Sequence, residues 1–291
     1  MITLGYVSLN TKLASSSKTF RLSSYTNEKM LAYTRDNLKA LLQILEWNKV
    51  HGILLFRITS GLVPFGSARI NNGSWKVVLK EEFEKIGDFV KRNNMRVSMH
   101  PGQYTVLNSP NHTFYENSLL DLEYHNSILD LMALPKSHKI ILHGGGIYGD
   151  KKAATKLLIQ RVNNLSTNVR ERLVLENDDR CFNARDILNI CYQIDLPGVF
   201  DYFHDQVLPS IDLDSRDIII EYGKTWPKNE IQKIHYSEQD PGKIKGSHSE
   251  SINPDKFMIL YDKIKDLDLD IMLEVKDKEQ SVLKLKRILN I

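Results

Sequence analysis

The feature that most constrains this chain is the alternation of short apolar segments with longer segments of helical spacing. The apolar segments are rich in β-branched residues, which is typical of strands buried on both faces of a parallel sheet. They comprise Ile2–Ser8, Gly52–Ile58, Met95–His100, Lys139–His143, Arg172–Asn177, Gly198–Tyr202, Ile231–His235 and Asp270–Val275. Eight strand–helix units predict an α/β fold, a closed (β/α)8 TIM barrel, in preference to an open α/β sheet.

The chain shows no internal boundary, since neither a change in composition nor a low-complexity tract divides its 291 residues. We therefore expect a single TIM-barrel domain over residues 1–291. The first residues enter a strand without the basic and apolar regions of a signal peptide, and no apolar run is long enough for a membrane span. Two cysteines, Cys181 and Cys191, suit a reducing compartment. We expect a cytoplasmic monomer, nucleoid-associated if the source is prokaryotic.

Most of the predicted strands end in a histidine or a carboxylate. These strand-end residues are His100, His143, Glu176, Asp201, His235 and Glu274. A single histidine at a strand end is usually a hydrogen-bonded rim residue. In a TIM barrel, however, the carboxyl ends of all strands meet at one mouth. Packing this many imidazoles and carboxylates together would cost free energy unless a cation compensated their charge. The sequence therefore predicts a metal cluster.

Two further histidines fit the same cluster. His204 follows Asp201 by three residues, and His248 lies in the loop after the seventh strand. The complete set exceeds what one ion needs and suits two or three divalent ions with bridging carboxylates. Mixed imidazole and carboxylate ligands favour Mn or Zn, with Fe as an alternative, over Ca. Clustered divalent ions are typical of phosphoester hydrolysis, in which one activates water and another stabilises the leaving oxygen.

Several motifs around these residues resemble those of the UV damage endonuclease family. They are "SMHPGQYTVLNSP", "ILHGGGIYG", "LVLENDDR", "VFDYFH" and "IMLEVKDK", which occur in the family's order along the whole chain. The chain is similar, more distantly, to endonuclease IV. The resemblance implies a TIM-barrel enzyme with three divalent ions, usually manganese. Its partner would be damaged double-stranded DNA, nicked directly 5′ to cyclobutane pyrimidine dimers, 6-4 photoproducts and some other lesions such as abasic sites. The products would carry a 3′-hydroxyl and a 5′-phosphate.

The resemblance also implies roles for individual residues. The first ion would be held by His100, His143 and Glu176, the second by Glu176, Asp201, His235 and Glu274, and the third by His204 and His248. Catalysis would involve Glu176, Lys233 and His235. Lys233 matches a lysine that is carboxylated in relatives and lies at the metal centre. Contacts with the damaged site are implied for Tyr6, Asn10, Gln103 and Tyr104.

Two other functions remain open on sequence grounds. A sugar isomerase on the same barrel would also use carboxylates and histidines for two ions, but it has no evident use for His204, His248 or the Pro-Gly-Gln-Tyr turn. A non-catalytic DNA-binding module is a third hypothesis, against which the intact ligand set argues.

The net charge of +3 permits a polyanionic partner. Basic residues near strand ends, Arg57 among them, are candidates for phosphate contacts.

Overall fold

The computed structural model describes residues 1–210 and 214–291. Its strands are β1 Ile2–Ser8, β2 Leu55–Ile58, β3 Arg96–Met99, β4 Ile140–His143, β5 Leu173–Glu176, β6 Gly198–Asp201, β7 Gln232–Tyr236 and β8 Leu269–Leu273. Each strand pairs in parallel with the next, and β8 pairs with β1, so the sheet closes into a barrel. The predicted TIM barrel is confirmed, and each observed strand overlaps its predicted segment.

Helices surround the barrel and connect its strands. They are α1 Asn27–Val50, α2 Trp75–Val78, α3 Lys80–Arg92, α4 His112–Leu131, α5 Lys151–Asn163, α6 Thr167–Arg170, α7 Ala184–Ile194, α8 Tyr202–Val207, α9 Ser215–Gly223, α10 Pro254–Ile264 and α11 Glu279–Leu289. Polar side chains fix where several begin: Asn183 and Asp186 form a capping box on α7, and Asn253 caps α10 just before Pro254. Among the described helices, none has the length and apolar character needed to cross a membrane.

Alternation along each strand divides the core into two parts. Outward-facing residues such as Leu4, Phe56 and Leu175 belong to the large apolar core between the barrel and its helices. Inward-facing residues form smaller apolar clusters halfway along the barrel axis, one of which contains Val7, Leu55 and Met272, and another Ile141, Val174 and Val199. Because side chains alternate with period two, residues two positions after these inward apolar groups point into the barrel mouth.

The barrel interior therefore changes character along its axis. At the amino-terminal ends of the strands it is charged: Arg96 Nε donates to Asp270 Oδ2 at 2.7 Å, and Lys139 pairs with Glu230 at 2.9 Å. The middle layer is apolar, and the carboxyl-terminal layer carries histidines and carboxylates. Register places these ligands side by side, since His143 on β4 is opposite Glu176 on β5, and Asp201 on β6 is opposite His235 on β7.

Candidate metal centre

Glu176, at the end of β5, lies at the centre of the site and is completely buried. Its Oε2 is 2.8 Å from His100 Nε2 and 3.1 Å from His143 Nε2. Its other oxygen, Oε1, contacts His235 Nδ1. One carboxylate thus faces histidines that come from the carboxyl-terminal ends of three different strands. This is the geometry expected of a ligand shared between two ions.

The predicted ligands of the first two ions lie in two groups that overlap at Glu176. One ligand atom from each member of a group lies within 4.8 Å of the others: the groups are His100, His143 and Glu176, and Glu176, Asp201, His235 and Glu274. In the second group, His235 Nδ1 is 3.0 Å from Glu274 Oε1 and 4.0 Å from Asp201 Oδ2. The structure therefore brings together six residues that the sequence placed at strand ends.

His204 and His248 lie together beside the first group. Their ring centroids are 6.0 Å apart, and the His204 ring is 5.4 Å from that of His143. Their Nδ1 atoms are each 2.9 Å from a backbone carbonyl oxygen, that of Asn177 for His204 and that of Glu274 for His248. Donation of the Nδ1 proton to a carbonyl leaves the Nε2 lone pair free to bind a cation, which is a common arrangement around metal-binding histidines.

The hydrogen bonding of the site fits a bound cation. His100 Nδ1 is 2.8 Å from the Pro101 carbonyl oxygen, while its Nε2 faces the Glu176 carboxylate. A neutral ring has one proton and cannot donate to both acceptors, and a metal ion between Nε2 and Glu176 would resolve this. In addition, Asp201 Oδ2 is buried without a hydrogen-bond partner among the described residues. Such atoms are rare in native proteins, and a cation would satisfy this one.

The electrostatics also prepare the ligands for a metal. Burial raises the pKa of Glu176, but His235, His100 and His143 together hold it well below its usual value. For Glu274, burial is likewise opposed by Arg57 and His235, and the pKa is lowered. Burial lowers the pKa of His100 to about 4, so this ring is neutral at pH 7. Ionised carboxylates and a neutral imidazole are the protonation states that bind a divalent ion.

Asp201 and His204 report the local excess of negative charge. Burial, together with Glu176 and Glu274, raises the pKa of Asp201. Burial lowers the pKa of His204, but Asp201 and Glu176 outweigh it and raise the pKa to about 9. The His204 shift in particular indicates that the carboxylates here favour added positive charge, which a divalent ion would supply.

Arg57 is a site residue whose role the sequence did not reveal. It comes from β2, is largely buried, and forms an ion pair with the Glu274 carboxylate. It is therefore not a simple surface cation. Its spacing from Leu55, an inward-facing residue, is the signal that would have placed it inside the barrel. Its contact orients Glu274 and neutralises part of the charge at the mouth.

Lys233 points into the barrel, as its spacing from His235 predicts, but one layer below the ligands. It is buried and belongs to neither ligand group. Burial lowers the pKa of its amine to about 8, and the charged side chains that act most strongly on it are Asp270 and Arg96. In the strand register Lys233 is opposite Asp270, so it belongs to the charged floor of the barrel, below the candidate metal-binding mouth.

A cleft of about 580 Å³ opens beside His143, His204 and His248. Gln103 and Tyr104 line it from the loop after β3, and the Tyr104 side chain is 85% exposed. A hydrogen bond from Thr105 N to Gly102 O, 2.9 Å long, closes the turn that carries them. Both side chains thus lie on the rim of the mouth and outside the ligand groups.

Comparison with known proteins identifies the family. The family model described as UV-endonuclease UvdE matches residues 2–291. The chain belongs to this family. A UV DNA damage endonuclease from Clostridium perfringens (strain 13 / Type A) is 44% identical over 90% of this chain, which spans 64% of that protein's length. The crystal structure of SacUVDE is 38% identical, covers 100% of this chain and 98% of the other, and superposes with a TM-score of 0.95.

The UvdE-family chain also shares its fold with more distant proteins. Endonuclease IV from Thermus thermophilus is 13% identical over 87% of this chain and 95% of the other, with a TM-score of 0.60. Sugar epimerases of similarly low identity have the same fold. The barrel alone therefore does not distinguish nucleic-acid chemistry from sugar chemistry.

Tyr6 and Asn10, which the UvdE resemblance associates with the damaged site, do not line the cleft. Tyr6 is fully buried under α1, where its hydroxyl donates to Asn48 Oδ1 at 2.6 Å. Asn10 Nδ2 donates to the same hydroxyl at 3.0 Å. In this arrangement the pair fixes the start of the loop after β1 against α1. Contact with DNA would require both side chains to leave these hydrogen bonds.

Proposed function

We propose that this UvdE-family chain is a metal-dependent endonuclease that incises double-stranded DNA damaged by ultraviolet light. The observation that carries the proposal is the pair of ligand groups that share Glu176 beside an open cleft. Similarity to curated UV DNA damage endonucleases supplies the substrate class. Overlapping histidine and carboxylate ligands suit phosphodiester chemistry, because divalent ions would lower the pKa of an attacking water and stabilise the departing oxygen.

The proposed cut lies immediately 5′ to cyclobutane pyrimidine dimers and 6-4 photoproducts, and at abasic sites, and leaves a 3′-hydroxyl and a 5′-phosphate. We propose three divalent ions, with manganese as the best match to the ligand types. Their ligands would be the two overlapping groups together with His204 and His248. The carbonyls of Asn177 and Glu274 lie 2.9 Å from the Nδ1 atoms of these two rings, which leaves each Nε2 available as a ligand.

The protein's own groups would position the reacting phosphate. Glu176 fixes the spacing of the first two ligand groups because its two oxygens face different histidines. Arg57 holds Glu274 in place. Gln103 and Tyr104 would occupy the space left in the duplex when the damaged nucleotides leave the base stack, a step that costs less where damage has already weakened pairing. Lesion selectivity would arise from that difference.

The same reasoning disfavours the sugar isomerase. That reaction leaves the His204–His248 pair and the exposed Gln103 and Tyr104 without a role. We further propose that residues 1–291 act as one domain and as a monomer in the cytoplasm, where a prokaryotic chromosome would provide the substrate.

The deciding experiment compares supercoiled plasmid before and after ultraviolet irradiation. The purified protein with manganese should nick only the irradiated plasmid, and a chelator should prevent nicking. End-labelled oligonucleotides with one defined photoproduct would then locate the cut and identify the termini. Equal nicking of both plasmids, or none of either, would reject the proposal, as would ketose–aldose conversion without nicking.

A further inference from the structure

The cleft contains a second exposed aromatic side chain that no metal or lesion role yet explains. Tyr148 lies in the loop between β4 and α5, lines the same cleft as Tyr104 and His143, and is 52% exposed. Single aromatic side chains exposed to solvent are common and indicate no function by themselves. Two of them on adjacent loops of one polar cleft, beside candidate metal ligands, indicate a surface that receives a flat ligand.

The backbone at Tyr148 is strained. Its φ angle is +46°, in the left-handed region that favours glycine. Strain of this kind is often found at functional sites. The ring is held in place by packing over Gly146, where an added Cβ would lie 2.8 Å from the Tyr148 ring. The chain thus keeps an aromatic residue where a smaller one would fit the backbone better.

The loop that carries Tyr148 is fastened to the segment that carries Gln103 and Tyr104. Asn108, which is completely buried, donates through Nδ2 to Gly146 O at 2.8 Å and accepts from Gly146 N through Oδ1 at 3.1 Å. Gly145 has a φ of +88°, and an added Cβ there would lie 2.2 Å from Asn108 Oδ1. The two exposed tyrosines are therefore presented by one connected and preorganised structure, which lowers the entropic cost of binding.

A cation completes this part of the cleft. Arg180, after β5, lines it with a largely exposed side chain, whose Nε forms an ion pair with Asp179 Oδ2 at 3.6 Å. Its backbone is fixed, because Asp178 accepts hydrogen bonds from the N–H groups of Arg180 at 2.8 Å and of Phe182 at 3.1 Å. An exposed ion pair of this kind contributes little, so the guanidinium can exchange the Asp179 carboxylate for a phosphate oxygen.

We propose that Tyr148 is a further lesion-contacting residue, which stacks on a base of the damaged dinucleotide after it leaves the helix, while Arg180 binds an adjacent phosphate. This inference rests on the proposed endonuclease function. An aromatic ring suits the role because every base presents a flat face, so stacking tolerates photoproducts of different chemistry. Tyr104 then contacts the duplex, and Tyr148 the bases that have left it.

The test compares Tyr148→Gly, Tyr148→Phe and a control, Tyr192→Ala, at an exposed tyrosine outside the cleft. Glycine removes the ring and relieves the left-handed strain, so thermal stability should be kept. The measurements are kcat/KM on irradiated duplex with manganese and the inhibition constant of intact duplex as competitor. Tyr148→Gly should lower kcat/KM by about 5- to 150-fold, the range expected for one lost base stack. Tyr148→Phe and Tyr192→Ala should keep a kcat/KM near that of wild type. The inhibition constant of intact duplex should be near the wild-type value in all three variants.

The phosphate contact has its own readout. Arg180→Gln should lower the affinity for irradiated and for intact duplex alike, and it should reduce the slope of log affinity against log salt by about 1. If Tyr148→Gly has the same kcat/KM as wild type, the role proposed for Tyr148 is wrong. The endonuclease proposal would still stand, provided that the wild-type protein nicks irradiated DNA. If Tyr148→Gly weakens the inhibition by intact duplex by the same factor, Tyr148 is a general DNA contact, and the inference is also overturned. A wild-type protein that does not distinguish irradiated DNA would overturn both proposals.

Discussion

Glu176 is the residue on which both ligand groups depend, because each of its oxygens faces a different part of the cluster. Glu176→Gln removes the negative charge and leaves an amide that cannot bridge two cations. Loss of this ligand should lower incision of irradiated plasmid by more than about 100-fold, since changes to groups that merely support a ligand cost about 10–100-fold. The measurements are nicking rate and bound metal per chain. The barrel core lies elsewhere, so near-normal nicking by a well-folded variant would contradict the metal-cluster proposal.

Lys233 presents a second test at the scale of one side chain. The carboxylate that acts most strongly on it, Asp270, is already paired with Arg96, and Arg57 and Lys139 add further positive charge around it. Loss of one proton from the Lys233 ammonium, followed by addition of the neutral amine nitrogen to carbon dioxide with release of a second proton, would replace this cation with an anionic carbamate and relieve the repulsion. We expect intact-mass analysis at neutral pH in bicarbonate to show the mass of one carbon dioxide, and Lys233→Arg to lack it. An unmodified wild-type mass under these conditions would exclude the modification.

At the scale of single elements, the turn after β3 carries Gln103 and Tyr104 away from the ligands. Replacing both with alanine should leave metal content and folding unchanged. The affinity for irradiated duplex should fall by about 5- to 150-fold from lost stacking, while affinity for intact duplex, which depends on phosphate contacts, should change much less. Both affinities are measured at one fixed salt concentration, with Phe114→Ala, an exposed aromatic outside the cleft, as control. An unchanged ratio of the two affinities would assign the turn a structural role only.

Period-two alternation explains how much of this arrangement could be predicted. Strand ends such as His100, His143 and Glu176 could be assigned to one mouth because every strand of a TIM barrel points the same way. The orientation of Tyr6 could not, since it depends on Asn48, which is 42 residues away on α1. Arg57 pairs with a carboxylate 217 residues away, and such a distant choice of partner leaves no local signal in the sequence.

At the scale of the whole molecule, the amino-terminal end of the barrel should determine part of the stability in acid. His138 is buried there beside Lys233, Arg172 and Arg96, and burial, followed by these cations, lowers its pKa from 6.5 to about 4. Its Nδ1 is 3.1 Å from both Val97 N and Val97 O: a ring without a proton on Nδ1 accepts from the N–H, whereas a protonated Nδ1 donates to the carbonyl, which opposes part of the shift. The folded state thus binds this proton less readily than the unfolded state, so the stability that neutral His138 contributes is present above pH 6.5 and is lost as the pH falls toward 4.

The test is urea unfolding of wild type and His138→Asn, in which the amide oxygen can replace Nδ1 as acceptor. Between about pH 7.5 and about pH 5, wild type should lose roughly 1–2 kcal/mol more stability than the variant, given about 1.4 kcal/mol per pKa unit. His112→Asn, at an exposed histidine, controls for the loss of any histidine. Equal acid sensitivity of wild type and His138→Asn would show that the buried ring is not responsible.

The hydrogen bonds between Asn108 and Gly146 have a consequence for how this part of the protein can vary during evolution. They fix the number of residues that separates Tyr104 from Asn108 and Tyr148 from Gly146. Replacement of either tyrosine removes one ring and leaves the other in place, whereas an insertion or deletion in one loop would break the hydrogen bonds and displace both rings. We therefore expect homologues that act on the same lesions to keep the length of the two loops as well as an aromatic ring at each tip.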